Sequence, residues 1–338
     1  MRIFLLFFVV ILGACSSRSL DGAETIAFQS ASPQWFDSVT GAPDVTGRGE
    51  LVFPAQGHAP FPAVVILHSS QGRTIADKEF AQALIAEGFA VFALDSFRPR
   101  GLSKITDEQT KVSEASILFD LFEAQKVLIR HPKIDSKRIA VAGFSKGGIP
   151  ALYAAYPVLT DAYDHEHPFA AYIAYYPWCG LSPSGFETNG RPILVHVGSS
   201  DRITPPELCG DLVAQTRQSD PNAQIHLHVY EGAGHGFNHP YLQNIPGLPV
   251  TYAIPKNCRI VQQADGSFTE TFSDRALTGE NYAEVITACS KHGGFVSGDK
   301  DATREALART LNFLKAHLTQ DGKQANSNGL NNAAVAQW

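Results

Sequence analysis

The sequence lacks three features that would point to other classes of protein. It has no run of lysine and arginine residues, no apolar stretch long enough to span a bilayer, and no internal repeat. With 27 basic and 33 acidic residues and no motif for stacking on bases, the chain is not expected to bind nucleic acid. The formal net charge is −6, and removal of the N-terminal segment described next would make it about −7. A hydrophobic content of 44% without a repeat predicts one domain with one large core.

The N-terminal residues resemble the signal of a bacterial lipoprotein. Residues 3–12 are apolar, too few to span a bilayer but typical of a secretory signal. They lead into LGAC at 12–15, which resembles a lipobox, so residues 1–14 are predicted to be a lipoprotein signal peptide and Cys15 the lipidated residue. The alternative is an ordinary signal peptide with Cys15 incidental. The resemblance implies an exported protein anchored to a membrane by acyl chains, in the outer membrane or periplasm of a Gram-negative bacterium.

Composition divides the mature chain into three parts. Residues 15–42, rich in Ser, Ala, Gly and Asp, are predicted to be a lipidated tether, and residues 319–338 a disordered tail. Residues 43–318 alternate apolar, strand-like runs with amphipathic segments such as 75–87. Repeated β-α units of this kind predict an α/β fold with a mostly parallel central sheet and helices on both faces. Ligands of such sheets bind at the carboxyl ends of the strands.

The segment GFSKGG at residues 143–148 follows a β-like run and precedes a helix-compatible segment. Strand, G-x-S-x-G and helix form the context of a nucleophile elbow, in which the serine sits on a strained turn with its Oγ exposed. Ser145 would be the nucleophile, and the backbone amide of Lys146 could stabilise a developing oxyanion. The motif alone is equally compatible with an ordinary glycine-rich turn. An acid and a histidine in the right order would decide between the two.

An aspartate and a histidine follow two later strand-like runs. Asp201 comes just after one run, and His235 lies in a glycine-rich loop after the next. The chain order Ser145, Asp201, His235 is that of the α/β-hydrolase triad, in which the histidine is the base and the aspartate orients it. The aspartate could instead cap the helix that follows it, and His239 is a second candidate for the base.

Two further groups of residues are placed at strand ends. Ser70 lies in HSSQG, after the third strand, where α/β-hydrolases provide their second oxyanion donor. Its backbone amide is the first choice for that donor, and the amide of Ser69 is the alternative. Arg98 and Arg100 follow another strand end and could bind a carboxylate of the substrate. The alternative for these arginines, which is preferred, is a structural salt bridge or carbonyl clamp.

The remaining histidines do not predict a metal site. His226 and His228 alternate on one strand face, but no third ligand with suitable spacing follows them. His165 and His167 belong to a polar loop and are expected to be solvated.

Together these segments resemble the dienelactone hydrolase family of α/β-hydrolases over about residues 49–318. The matching segments are HSSQG at 68–72, DSFRPRG at 95–101, GFSKGG at 143–148, YYPWCG at 175–180, the turn at Asp201 and GAGHGF at 232–237. The resemblance implies an α/β-hydrolase fold, a small-molecule ester substrate, and no metal or cofactor. Two departures matter, since Ser145 stands where dienelactone hydrolases proper have cysteine and the HSSQG loop lacks their glutamate. The serine branch of the family is therefore the nearer likeness, and dienelactone is not the expected substrate.

The function that the resemblance implies is hydrolysis of carboxylic esters through an acyl-enzyme on Ser145. Two alternatives remain open. One is a lipid-anchored binding protein that keeps the fold without turnover, and the other is a serine peptidase that uses the same triad. The presence of all three triad residues favours an enzyme, but a triad does not choose between ester and amide.

Five cysteines are present, and lipidation of Cys15 would leave four in an oxidising compartment. Of the three possible pairings, Cys179–Cys209 and Cys258–Cys289 are preferred. The first two cysteines follow adjacent core strands, and the other two bracket a segment that a minimal hydrolase does not need. Four buried free thiols are the alternative.

That segment, residues 238–298, separates the histidine loop from the last helix, where a short connection would suffice. Asp265 and Gly266 between two alternating runs predict a hairpin, and residues 280–289 predict a short helix. We therefore predict a hairpin and helix insertion, tied by a disulfide, over the mouth of the active site. Packing at the edge of the sheet is the alternative.

Overall fold

The computed structural model describes residues 19–37, 42–163, 167–243, 248–250, 252–290 and 293–319. Within these ranges the chain begins with three strands, after which helices separate most of the strands of the central sheet. The strands are β1 (Glu24–Ser30), β2 (Val45–Val52), β3 (Phe61–Leu67), β4 (Ala90–Asp95), β5 (Ile134–Phe144), β6 (Tyr172–Tyr175), β7 (Leu181–Ser182), β8 (Ile193–Gly198), β9 (Ile225–Tyr230), β10 (Leu248–Val250), β11 (Ile260–Gln262), β12 (Phe268–Glu270), β13 (Arg275–Leu277) and β14 (Gly294–Val296). The helices are α1 (Ile75–Ala86), α2 (Glu114–Ile129), α3 (Gly148–Tyr153), α4 (Pro157–Thr160), α5 (Pro206–Ser219), α6 (Tyr282–Cys289) and α7 (Lys300–Leu318).

Eight strands form the central sheet, in the order β1-β2-β4-β3-β5-β6-β8-β9. β2 runs antiparallel to both of its neighbours, and the other neighbouring strands are parallel. β4, β6 and β8 are buried along their whole length, as expected for strands covered on both faces. Helices α1 and α7 pack on one face, and α2, α3 and α5 pack on the other. The predicted α/β-hydrolase fold is confirmed.

The predicted tether needs a correction. Residues Glu24–Ser30 form β1, which pairs along its whole length with β2 and supplies the edge strand of the sheet. Trp35 and Phe36 after it are buried in the core. Composition concealed the strand because every second side chain of β1 faces outward and an edge strand needs only one apolar face. The folded domain therefore begins near residue 20 rather than at residue 43.

Several predicted features lie outside the described residues. They are the signal peptide at residues 1–14, the lipidated Cys15, His165 and all of the tail after residue 319. Within the described ranges, no helix combines the length and the apolar character needed to cross a membrane.

The insertion predicted at residues 238–298 has two separate parts. In the first, which we call the ribbon, a 3-10 turn at Pro240–Leu242 is followed by β10, which pairs with β14. In the second, the hairpin predicted around Gly266 is present as β11 and β12, continues into β13 and α6, and joins β7 by parallel pairing. We call residues 258–289 the disulfide unit, because the Cys258–Cys289 bridge closes it. The Cys179–Cys209 bridge is also present, so both preferred pairings are confirmed.

The disulfide unit packs against the N-terminal segment. Trp35 stacks on Tyr282 with a ring-centroid distance of 5.4 Å, and it meets the edge of Phe268 at 5.5 Å. All three side chains belong to the same core cluster as the inner face of α2. A hairpin and a short helix alone bury too little apolar surface to be stable. The N-terminal segment therefore supplies part of the core on which the insertion folds.

Candidate active site

The candidate nucleophile stands on a strained turn. β5 ends at Phe144, Ser145 begins a 3-10 turn, and α3 follows. Ser145 has φ of 50°, in the left-handed region that non-glycine residues rarely occupy. A Cβ on Gly143 would lie 2.1 Å from the carbonyl oxygen of Gly147, and a Cβ on Gly147 would lie 2.5 Å from the carbonyl oxygen of Leu67. The two glycines are therefore required by close approach of the backbone, as the elbow motif predicts.

The structure brings the three predicted triad residues together. Ser145 Oγ lies 2.7 Å from His235 Nε2, and His235 Nδ1 lies 2.8 Å from Asp201 Oδ2. The other carboxylate oxygen, Asp201 Oδ1, accepts hydrogen bonds from the amides of Ile203 and Thr204. The aspartate thus orders its own turn and orients the imidazole, and both His235 and Asp201 are buried. This arrangement can remove the proton of the serine hydroxyl and hold the imidazolium that results.

One further residue contacts the triad, and the sequence motifs did not identify it as a site residue. The hydroxyl of Thr204 lies 3.0 Å from Asp201 Oδ2, 3.1 Å from His235 Nδ1 and 3.1 Å from the carbonyl oxygen of Tyr176. It holds the carboxylate and the imidazole in their relative positions. A threonine three residues after an aspartate is the only signal in the sequence, and ordinary turns share it.

The pocket beside Ser145 is a cavity of about 110 Å³. The sheet contributes the nucleophile, His235 and the loop that follows β3. The ribbon and the chain after it contribute the other side, through His239, Leu242, Val250, Tyr252, Ile254 and Val296. β14 also lies beside the catalytic loop, since the amide of Ser297 donates to the carbonyl of His235 at 3.1 Å. The ribbon part of the insertion therefore lies at the pocket, as predicted, whereas the disulfide unit docks beside α2.

The candidate oxyanion donors are in the expected region. Lys146 and Ser70 both line the pocket together with Ser145, and so does the alternative, Ser69. Lys146 lies in the first turn of the helical segment, where a backbone N–H has no intrahelical acceptor. The assignment of these two amides stays a prediction.

The two arginines do not line the pocket, and the substrate role suggested for them needs a correction. The Arg100 guanidinium donates to both carboxylate oxygens of Asp120, at 2.7 and 3.1 Å, and to the carbonyls of Ala31 and Ser96. The side chain of Arg98 pairs with Asp95 at 3.4 Å. Arg100 is therefore a buried clamp between the N-terminal segment and α2, which is the structural alternative.

The other histidines keep minor places. His239 lines the pocket, and burial lowers its pKa, but the imidazole that contacts Ser145 is that of His235. Burial also lowers the pKa of His228, to about 4, with a smaller contribution from Arg309. His226 and His228 have no third ligand among the described residues. Among the described residues, Cys258, Glu270 and Cys289 have metal-binding atoms close enough together to share an ion. The two cysteines, however, are joined in a disulfide.

A buried ion pair forms one wall of the pocket. The sequence motifs pointed to its lysine, through the backbone amide, but not to its glutamate. Lys146 Nζ lies 2.6 Å from Glu114 Oε1, and the phenol of Tyr282 donates to Glu114 Oε2 at 2.6 Å. Burial and the neighbouring carboxylate of Glu114 keep the pKa of Tyr282 well above its usual value, so the phenol remains a donor. No local pattern in the sequence could have joined residues so far apart.

The sheet order, the elbow, and the acid and histidine at strand ends define the class of protein as an α/β-hydrolase. The chain belongs to the dienelactone hydrolase family, whose model matches residues 48–318. It is therefore a hydrolase of that family, as the sequence motifs predicted.

Relatives are similar over most of the folded domain. A protein assigned as a 2-oxo-3-(5-oxofuran-2-ylidene)propanoate lactonase, from Bradyrhizobium, is 25% identical over 225 residues, which are 63% of this chain and 87% of that protein. A protein assigned as a carboxymethylenebutenolidase, from Yersinia pestis, is 25% identical over 206 residues, 56% of this chain and 73% of that protein. The solved structure of a dienelactone hydrolase-like promiscuous phosphotriesterase from metagenomic libraries has a TM-score of 0.57 at 18% identity. It covers 88% of this chain and 99% of its own, and this likeness supports the fold.

Proposed function

We propose that this protein hydrolyses carboxylic esters, lactones included, through an acyl-enzyme on Ser145. The observation that carries the proposal is the continuous hydrogen-bonded chain from Ser145 Oγ through the imidazole of His235 to Asp201, with distances of 2.7 and 2.8 Å. Membership of the dienelactone hydrolase family and similarity to an assigned lactonase support an ester bond as the target.

In the first half of the reaction, Ser145 Oγ attacks the ester carbonyl while His235 Nε2 accepts its proton. Asp201 holds the imidazole in the correct tautomer and stabilises its positive charge. The backbone amides of Lys146 and Ser70 donate to the oxyanion, and each such donor typically contributes about 3 kcal/mol to stabilisation of the transition state. His235 then gives its proton to the leaving alkoxide, which leaves the acyl group on Ser145.

In the second half, a water molecule takes the place of the alcohol. His235 removes a proton from that water, which attacks the acyl-enzyme, and the collapse of the second tetrahedral intermediate returns the proton to Ser145 Oγ. The residues named here suffice for this sequence of steps.

Labelling with a fluorophosphonate probe tests the proposed nucleophile. Wild-type protein should react covalently and Ser145→Ala should not, while circular dichroism shows the same fold for both. A panel of p-nitrophenyl esters from acetate to octanoate, with a p-nitroanilide beside each, would then separate esterase from peptidase activity. Folded wild-type protein that neither labels nor hydrolyses would support the alternative of a binding protein.

We also propose that the protein is exported and lipidated on Cys15, in the outer membrane or periplasm of a Gram-negative bacterium. Support comes from the LGAC sequence at the end of the apolar run. The amide of Leu20 donates to Glu50 on β2, so at most five residue steps would separate the lipid from the folded domain. That distance is about 18 Å at full extension. Lipidation would thus hold the domain close to the membrane surface.

Mass spectrometry of the mature N-terminus tests the anchor. The expected result is a diacylated or triacylated peptide that begins at Cys15, in protein that partitions with membranes. Cys15→Ser should abolish the modification and leave the chain uncleaved or soluble. An unmodified N-terminus beyond residue 15 in the wild type would contradict the proposal.

A further inference from the structure

The residue after the nucleophile has a charged side chain inside the protein. Lys146 is 4% exposed, and both it and Glu114 line the pocket next to Ser145. Lys146 Nζ lies 2.6 Å from Glu114 Oε1. An ammonium group buried without a partner would be strongly unfavourable, so the carboxylate is what allows the lysine to lie there.

The carboxylate is held at both of its oxygens. Glu114 is the first residue of α2, where a negative charge interacts favourably with the helix dipole, and Ser113 caps that helix. Its second oxygen accepts the hydrogen bond from Tyr282, at 2.6 Å, and Tyr282 is fixed in turn by stacking on Trp35. The insertion and the N-terminal segment thus keep Glu114 in the position that neutralises the lysine.

The pair determines the net charge of the pocket. Among the pocket-lining residues that the structure describes, Lys146 and Glu114 are the only lysine, arginine, aspartate or glutamate side chains. A substrate carboxylate that enters beside the lysine would therefore meet the glutamate as well and find no unpaired cation. An uncharged ester would meet a wall with no net charge, and its apolar parts would contact side chains such as Ile149 and Leu242.

We propose that Glu114 is a specificity-determining residue, which neutralises Lys146 and so restricts the pocket to uncharged esters, against esters that carry a carboxylate. The proposal rests on the esterase function proposed above and names its substrate class. It makes the glutamate on α2 the group that excludes anions, although a lysine directly follows the nucleophile.

Two esters of the same length test the proposal: p-nitrophenyl butyrate, and p-nitrophenyl hydrogen succinate, whose acyl chain ends in a carboxylate. Wild-type kcat/KM should be higher for the butyrate by at least about tenfold, because the anion loses hydration on entering the pocket and gains no unpaired cation in return. In Glu114→Gln the ammonium loses its counter-charge, and the ratio of succinate to butyrate kcat/KM should rise by at least about tenfold. The rate without enzyme is subtracted for each ester, since the carboxylate of the succinate also attacks its own ester bond. The intrinsic reactivities of the two esters then cancel when the ratios of variant and wild type are compared.

Two control variants separate charge in the pocket from other effects. Glu123→Gln removes the same formal charge from the same helix, where Glu123 pairs with Lys126 at 2.8 Å and does not line the pocket. It should leave the ratio unchanged within about twofold, since the charge is remote and screened. Tyr282→Phe keeps both members of the ion pair and removes the two hydrogen bonds of the phenol, to Glu114 and from Lys146. It should leave the ratio within about twofold of the wild type even if both rates fall, because both charges remain.

The possible results distinguish failure of this proposal from failure of the esterase function. A ratio that stays at the wild-type value in folded Glu114→Gln, or a wild-type enzyme that prefers the succinate, would overturn the proposal. If Glu114→Gln does not fold, Lys146→Met gives the second test, because it leaves the glutamate unpaired and should lower the succinate to butyrate ratio further. A rise or no change in that variant would equally overturn it. Failure of the esterase function itself looks different, since the wild type would then hydrolyse neither ester and would not react with the fluorophosphonate.

Discussion

The two sides of the pocket are built from different parts of the chain. On the triad side, Ser145, Asp201 and His235 stand on loops that follow β5, β8 and β9, so the parallel sheet brings them to one edge. On the insertion side, Glu114 of α2 is held by Tyr282 of the disulfide unit, and the ribbon covers the cavity. The triad side depends mainly on the sheet, with one backbone hydrogen bond from Ser297 to His235 as its link to the ribbon, whereas the insertion side depends on segments that surround the sheet.

This difference separates the bond-breaking groups from the groups that meet the rest of the substrate. The triad is fixed by buried strands and by hydrogen bonds from its own turns. The ribbon has a smaller apolar contact with the rest of the domain, in which Leu242 and Val296 pack in a small cluster with Ile203. We therefore expect changes on the triad side to act on kcat for every ester, and changes on the insertion side to act on the choice among esters.

The largest effect is expected for the triad itself. His235→Ala should lower kcat by about a millionfold and Asp201→Asn by about ten-thousandfold, for short and long esters alike, because triad residues act as a unit. Kinetics with p-nitrophenyl acetate and octanoate measure both. His239→Ala is the matched control, and a much greater loss in that variant than in His235→Ala would move the role of base to His239.

A smaller effect on the same side is expected for Thr204. Thr204→Val keeps the shape of the side chain and removes the hydroxyl that contacts Asp201 and His235. One hydrogen bond is worth about 1 kcal/mol, so kcat should fall by about fivefold to tenfold with KM nearly constant. Steady-state kinetics measure the split, and a change confined to KM would contradict a role in positioning the triad.

On the insertion side, removal of one disulfide should alter substrate preference. Cys258→Ala with Cys289→Ala opens a loop whose closure contributes about 3–4 kcal/mol in the chain-entropy model, and loosening of the disulfide unit should reach Glu114 through Tyr282. We expect a lower Tm and a larger rise in KM for bulky esters than for acetate.

The other disulfide gives a matched control for this prediction. Cys179 and Cys209 are separated by 30 residues, and Cys258 and Cys289 by 31, so the chain-entropy contributions are nearly equal. Cys179→Ala with Cys209→Ala should lower Tm by a similar amount without the same change in ester preference. Equal KM changes for bulky and small esters in both variants would remove the contrast between the two sides.

The smallest effect is expected for the pH dependence of stability at the sheet edge. Burial lowers the pKa of His228 to about 4. In the native protein this imidazole therefore stays neutral down to about that pH, whereas in the unfolded chain it binds a proton below about pH 6.5. Stability contributed by this residue is therefore lost as the pH falls from about 6.5 towards 4. In His228→Gln the decrease in Tm between pH 7 and pH 5 should be smaller than in the wild type, by about 2 °C. An identical decrease in both proteins would contradict this.

The sequence allowed the triad side to be predicted almost completely. Apolar runs locate buried strands, and the elbow motif, Asp201 and His235 follow such runs directly, so local patterns and one rule of topology were sufficient. The Cys179–Cys209 bridge followed from the same reasoning, and the Cys258–Cys289 bridge from the extra segment that its cysteines bracket. The role of Thr204 could not be predicted, because its hydrogen-bonding partners become neighbours only when the turn after β8 is formed.

The insertion side and the N-terminal segment could not be predicted in the same way. β1 has the composition of a linker, and its pairing with β2 depends on which strand edge is available in three dimensions. The contact of Glu114 with Tyr282 joins residues that are 168 positions apart, and neither position carries a motif. Arg100 follows a strand end, as a substrate-binding residue would, but its guanidinium is paired with Asp120 on α2.

The burial of Trp35 against Tyr282 has an optical consequence. The indole is 1% exposed and stacked on the phenol of α6, at a point where the beginning of the folded domain meets its insertion. Tryptophan emission shifts to longer wavelength when the ring moves from an apolar core into water. Trp35 is therefore a native fluorophore for the docking of the disulfide unit. With the other two tryptophans of the chain, Trp178 and Trp338, replaced by phenylalanine, its emission would follow that docking while ester hydrolysis is recorded in the same cuvette.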